Sequence, residues 1–155
     1  RFAAVADAVS RLGYEVLLTG TLLDRESIRR TQATMSEPSL DLAGQLSLGG
    51  LAALIAGARL LITNDTGPSH LAAAVGAPSV VVMTFPDADF ADRWTPLNAR
   101  LHRTVQPELP PLPGLPGEIR VSAVLEGVLA KLREESREIP VALMPGSPVL
   151  PLSPI

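Results

Sequence analysis

Short aliphatic runs alternate with stretches of helical periodicity along most of this chain, and that alternation restricts its fold more than any other feature. "YEVLLTG" at residues 14–20 reads as a short buried strand closed by a glycine, and "SLDLAG" around residues 40–44 as a weaker one. "ARLLIT", "APSVVVM" and "RLHRTV" follow at residues 58–63, 77–83 and 100–105. Between them lie helical patterns. Phe2, Val5, Val9 and Leu12 share one face, with Gly13 as the stop. A polar, Arg-rich helix covers residues 24–35, and Ser47 caps a helix carrying Leu48, Leu51 and Ile55 that Gly57 closes. Residues 68–75 form a small Ala-rich helix. Residues 118–137 form a longer one, with Val121, Val124, Leu125, Val128 and Leu132 on one side. Such alternation predicts an α/β fold, an open and mostly parallel sheet with helices on both faces.

The remaining segments punctuate this pattern. Residues 84–98 read as a loop containing Pro86, several aspartates and the only tryptophan, Trp94. Residues 107–117 are broken by proline and glycine, and residues 138–155 hold too many prolines for regular structure, which predicts a disordered tail. A single domain over residues 1–137 fits the length of 155. The chain opens inside an amphipathic pattern with neither Met nor a cap, so it is expected to be cut from something longer, with the first strand of the domain missing.

Composition excludes several classes of function. Thirteen basic residues stand against 16 acidic ones, with no basic run and no interleaving of aromatics, which argues against a nucleic-acid surface. Cysteine is absent, so thiolate chemistry and disulfides are excluded. Aromatic residues are only 3% of the chain, too few to clamp a flavin, and no Gly-x-Ser-x-Gly elbow marks a serine hydrolase. His102, in "RLHR", is expected to be an exposed residue at a strand end.

One stretch stands apart from the alternation. "NDTGPSH", residues 64–70, places seven polar or turn residues in a row between an aliphatic strand and the Ala-rich helix. Pro68 suits a helix start. The amides of Thr66, Gly67, Ser69 and His70 then gather at the positive end of the helix dipole, with the hydroxyls of Thr66 and Ser69 as further donors. Gly67 has no side chain to obstruct close approach of a phosphate to its backbone. Together these favour a diphosphate. The alternative for each residue alone is a helix cap or a packed first turn. In open α/β sheets ligands bind beyond the carboxyl ends of the strands, where this motif, the Gly20 loop and the loop after Met83 converge.

The run "LLITNDTGPSHLAAAVGAPSVVVM", followed by "RWTPL", resembles glycosyltransferase family 9, the ADP-heptose:lipopolysaccharide heptosyltransferases. "DLAGQLSLGGLAALIAGARLLIT" is similar to the family's approach to that motif, and "YEVLLTGTLLDRE" to its earlier strand and ribose-side loop. The resemblance covers about residues 1–135 and implies a GT-B architecture, this chain being its Rossmann-like C-terminal half, which binds the nucleotide-sugar donor. It implies inverting transfer without metal or cofactor, and an acceptor site with its general base on the other half. Asn64, Thr66, Gly67 and Ser69 would hold the donor diphosphate and sugar. Asp65 and His70 would be the catalytic pair facing the sugar, and Gly20, Asp24 and Glu26 would serve the ribose or base. The implied partners are an ADP-heptose-like donor and a glycan or lipid-linked acceptor. The implied place is the cytoplasm, with peripheral association of the full protein at the inner face of the membrane. The family's aromatic-Gly-Pro loop is here "TFPDADFADRW", in which Phe85 and Pro86 lack the intervening glycine and Asp87, Asp89 and Asp92 crowd in. The alternative is a catalytically inactive nucleotide-binding or protein-interaction module of the same fold.

Overall fold

The computed structural model describes residues 2–84, 98, 100–107 and 117–137, with side chains described as far as residue 134. Most of the loop expected at 84–98, most of the break at 107–117 and the tail at 138–155 lie outside the described residues. The elements run α1 (Phe2–Arg11), β1 (Leu17–Leu18), a 3₁₀ turn (Leu22–Asp24), α2 (Arg25–Thr34), β2 (Leu40–Asp41), α3 (Leu48–Gly57), β3 (Leu61–Asn64), α4 (Gly67–Val75), β4 (Ser79–Val82), β5 (His102–Val105) and α5 (Val121–Arg137). No described helix is long and apolar enough to cross a membrane.

All strand pairs among the described residues are parallel. They form two sheets, β1–β2 with Leu17 opposite Leu40, and β3–β4–β5 with Leu61 opposite Ser79 and Ser79 opposite His102. The described strands divide into two sheets where the sequence predicts one open sheet. Strands are also shorter than their aliphatic runs. Only two residues of 14–20, Leu17 and Leu18, form a strand.

Alternation of side chains across the strands builds two apolar layers. On one face Val80, Val82 and Val105 meet Val124, Val128 and Leu132 of α5 and Val5 of α1, with Leu60 and Ile62 against them. On the other, Leu61 meets Ile55 and Leu51 of α3 and Ala72, Leu71 and Val75 of α4. All four residues of β4 are buried, Val80 and Val81 completely, and each such valine contributes about 2 kcal/mol of burial. Helix α1 packs against both α5 and α2, and α3 against α4. Helices α1, α2 and α5 therefore share one side, and α3 and α4 the other.

Local chemistry sets the helix limits. The Ser47 hydroxyl accepts from the Gly50 amide at 3.1 Å, as a cap should. Helix α4 stops at Gly76, whose φ of +71° is the left-handed turn that favours glycine. Asp7, which the sequence pattern does not single out, is buried on α1 and accepts from the amides of Ser36 and Glu37 at 2.9 Å, clipping α1 to the end of α2. The Glu37 amide above all, with the Ser36 amide and Arg11 adding and burial opposing, holds its carboxyl below the usual range.

His102 is a correction. It is 5% exposed, not an exposed strand end, because it opens β5 beneath α5 and beside β4. Its Nδ1 lies 2.8 Å from the Ser79 hydroxyl, and its buried Nε2 has no partner. Lys131 of α5 is buried next to it, donating to the Arg100 carbonyl and, at 2.8 Å, to Glu134. Burial first, and the Lys131 charge second, push the His102 imidazole below its ordinary value.

Candidate functional site

The residues expected to bind ligand sit on two turns, one beyond the carboxyl end of β3 and one beyond the carboxyl end of β1. The first turn begins at Asn64, the exposed last residue of β3. The Asp65 amide donates to the Val82 carbonyl at 3.3 Å, which ties the turn to β4. Its half-buried carboxylate makes no hydrogen bond or ion pair with a described residue. Thr66 is the N-cap of α4 in an extended conformation, φ −149° and ψ 177°, but its side chain does not cap the helix. Its hydroxyl turns back to the Asn64 carbonyl at 3.3 Å.

Helix α4 starts one residue earlier than expected, at Gly67, and this changes which amides are open. The Ser69 amide and hydroxyl both donate to the Thr66 carbonyl, at 2.9 and 2.7 Å, and Ser69 is completely buried. Its hydroxyl therefore braces the turn from inside in this conformation. Pro68 has no N–H. His70 is the fourth helical residue, so its amide belongs to the helix ladder. The open donors of the nine-residue helix are thus the amides of Thr66 and Gly67, fewer than the sequence suggested. A Cβ placed on Gly67 would meet no atom within 4 Å, and its φ is not in the left-handed range. Nothing in the folding of the protein asks for glycine there, and the space in front of it is open.

The His70 side chain is exposed and borders an apolar groove of about 360 Å³ between the first turns of α3 and α4, lined also by Leu48, Leu51, Gly67, Pro68, Leu71 and Ala74. The catalytic and diphosphate candidates Asn64, Asp65, Thr66, Gly67 and His70 are therefore brought together on one turn, with Ser69 beneath it.

The second turn follows β1. Gly20 accepts from the Gly44 amide at 2.8 Å, fastening the ends of β1 and β2 to each other. A Cβ on Gly20 would fall 2.8 Å from Asp24 Cβ and 3.2 Å from Ile28 Cδ1, so glycine is required by packing. Asp24 Oδ2 accepts from the Thr21 amide at 2.8 Å and the Thr21 hydroxyl at 2.7 Å. The hydroxyl first, then the amide, hold its carboxyl below the usual range. Glu26 is exposed and lies 3.7 Å from Arg30 one helical turn on, a weak surface pair. Asp24 is thus the brace of its own turn, and Glu26 is the carboxylate presented outward. Sequence reasoning missed Leu22, which packs over Gly44 (φ +68°) and joins this turn to the end of β2. The signal was Gly44 itself, four residues before α3 begins.

Parallel strands with helices α1, α2 and α5 on one side and α3 and α4 on the other define a protein of the doubly wound α/β kind. The sequence makes the assignment finer: residues 1–113 match the model of glycosyltransferase family 9 (heptosyltransferase), and the chain belongs to that family. It is 35% identical over 99 residues to lipopolysaccharide heptosyltransferase 3 of Escherichia coli, an alignment covering 61% of this chain and 29% of that protein. It is 28% identical over 141 residues to lipooligosaccharide heptosyltransferase 2 of Haemophilus influenzae, covering 88% of this chain and 35% of the other. Among solved structures, the family 9 glycosyltransferase of Veillonella parvula DSM 2008 superposes with a TM-score of 0.75 at 27% identity, over 86% of this chain and 40% of that one. The E. coli ADP-heptose heptosyltransferase II gives a TM-score of 0.72 at 28% identity, over 87% and 41%. The chain therefore spans roughly a third to two fifths of the length of these relatives.

Proposed function

We propose that these residues are the donor-binding part of a glycosyltransferase that moves a heptose-like sugar from a nucleoside diphosphate to a glycan or lipopolysaccharide acceptor. The observation that carries the reading is the bare α4 N-terminus: two open amides, no side-chain cap, and a glycine whose missing Cβ faces unoccupied space. The positive end of a helix dipole, about half a unit charge, suits a diphosphate. In the reaction the acceptor hydroxyl attacks the anomeric carbon, forming one C–O bond as the bond to the diphosphate oxygen breaks with inversion. Negative charge grows on the leaving phosphate, where the Thr66 and Gly67 amides are already oriented to receive it. Asp65 and His70, on the same turn, face the sugar, and Glu26 is the candidate for the ribose hydroxyls. The reading asks for no metal or cofactor. On this reading the acceptor hydroxyl and its general base come from polypeptide other than this chain, which by itself should bind donor without transferring it. For the full protein the reading favours the cytoplasmic face of the membrane, where a lipid-linked acceptor would be met.

Calorimetric titration with ADP, UDP and GDP tests this. Binding with a preference for ADP is expected, and Gly67→Val should weaken it at least about tenfold while leaving the melting temperature unchanged, since the new side chain enters open space. Equal binding by the variant would put the phosphate elsewhere.

A further inference from the structure

Helix α3 departs from the other surface helices. Exposed positions of α2 carry Arg25, Glu26, Arg29 and Arg30, and those of α5 carry Glu126 and Arg133. Helix α3, with the sequence LGGLAALIAG, has no polar side chain, yet Ile55 is its one buried residue. Leu48, 76% exposed, and the exposed Gly49, Ala53, Ala56 and Gly57 give it an outward face with neither charge nor side-chain hydrogen-bonding group. A helix that is apolar all round belongs inside a fold, because leaving such a face in water forfeits its burial. Through Leu48 the face runs into the apolar groove beside α4.

The chain carries a segment of matching chemistry. Residues 139–155 include no charged side chain. Proline recurs there at every third position, Pro145, Pro148, Pro151 and Pro154, which excludes the interior of a helix or sheet but matches the polyproline II repeat of three residues per turn. On that repeat Val149, Leu152 and Ile155 line a second edge, and Ser147, Leu150 and Ser153 the third. Two edges are apolar, and the third carries the serines.

Position and reach agree with this match. The Gly117 amide donates to the Thr84 carbonyl beyond β4, and Lys131 donates to the Arg100 carbonyl ahead of β5, so α5 runs to the amino edge of the strands. Helix α3 ends at that edge too, with Gly57 just ahead of β3, but on the other face of the sheet. Crossing from one helical layer to the other takes roughly 20 Å, at about 10 Å per layer. Residues 138–144 span about 22 Å at about 3.1 Å each. Residues 145–155 span a further ~34 Å, against about 15 Å for the length of α3, which leaves enough to enter the groove.

We propose that residues 145–155 lie along the outward face of α3, entering at Gly57 and passing Leu48 into the groove, with their proline and aliphatic edges against the helix and their serines in water. The small side chains at Gly49, Ala53 and Ala56 let another main chain approach closely. A polyproline II segment is largely preset by its prolines, so docking it costs little conformational entropy.

The chain has no cysteine, so a single one can be introduced to carry a spin label, whose effect is read on the amide signals of the 155-residue protein without nucleotide. Ser147→Cys and Ser153→Cys place the label on the edge that faces water. The first should broaden the Ala56 and Gly57 signals most, and the second those of Leu48 and Gly49, while Arg29 and Arg30 on the other side of the sheet keep theirs. Adding Val149→Asp and Leu152→Asp should restore the α3 signals, because a carboxylate is not buried unpaired against an apolar face. Intact α3 signals in both labelled proteins, the reverse order along the helix, or equal broadening of α2 would overturn the proposal. The same reading on a mixture of spin-labelled and isotope-labelled copies separates one chain from two. Broadening in the mixture would give the face to the tail of a second copy and overturn its placement within one chain.

Discussion

Two glycines on the two candidate turns have opposite physical reasons for being glycine. At Gly67 a side chain would meet nothing, while at Gly20 it would collide with Asp24 Cβ at 2.8 Å. The first absence serves whatever lies in front of the helix, and the second serves packing. Gly20→Ala should therefore cost about 1–3 kcal/mol in a urea unfolding curve, because the whole Thr21–Asp24 turn must move. Gly67→Ala should change stability by less than about 0.5 kcal/mol. Equal costs at the two positions would contradict this division. Neither role is written in the residue type. Both glycines follow an aliphatic strand in the sequence, and only the neighbours that folding brings in distinguish them. Ser69 teaches the same lesson from the other side, since a hydroxyl that looked like a ligand donor is completely buried and bonded to Thr66.

Among the elements, helices were legible and the links between them were not. Gly13 and Ser47 mark helix ends by local chemistry, and the structure places a left-handed glycine and a side-chain cap there, whereas Gly57 is the last residue of α3 and not a left-handed stop. The Asp7 clip and the Ser79–His102–Lys131 cluster depend on residues 23 to 30 positions apart, beyond the reach of any local pattern. The latter joins β4, β5 and α5 through a buried imidazole whose neutral form the fold favours. A depressed folded-state value means that this contribution is complete above the ordinary imidazole value of 6.5 and shrinks as pH falls from there toward the folded value. His102→Gln should therefore lose less of its melting temperature than the parent between neutral pH and mildly acidic pH, whatever its stability at neutral pH. Parallel slopes for the two proteins would show that His102 does not titrate with unfolding.

The whole molecule is stabilised unevenly. Strand β4 is buried along its length between two helical layers, whereas β1 and β2 pair over two residues and are at most half-buried. Exchange of the Leu18 and Leu42 amides should therefore run at least about tenfold faster than that of Val81, reporting local opening of the smaller sheet. Similar rates would mean that the two sheets unfold as one unit.

By itself, the sequence determined the alternating α/β order, the parallel character of the sheet and the turn that carries the candidate donor site. Each of these rests on interactions within a few residues: periodicity, caps, and a polar run at a helix start. The tertiary structure alone decided which amides of that turn are open, that Ser69 and Asp24 brace turns from within, and that His102 is buried. It also decided that the described parallel strands divide into two sheets. Those outcomes depend on where distant segments meet, and a hydrogen bond or a close contact is decided by position within a few tenths of an ångström.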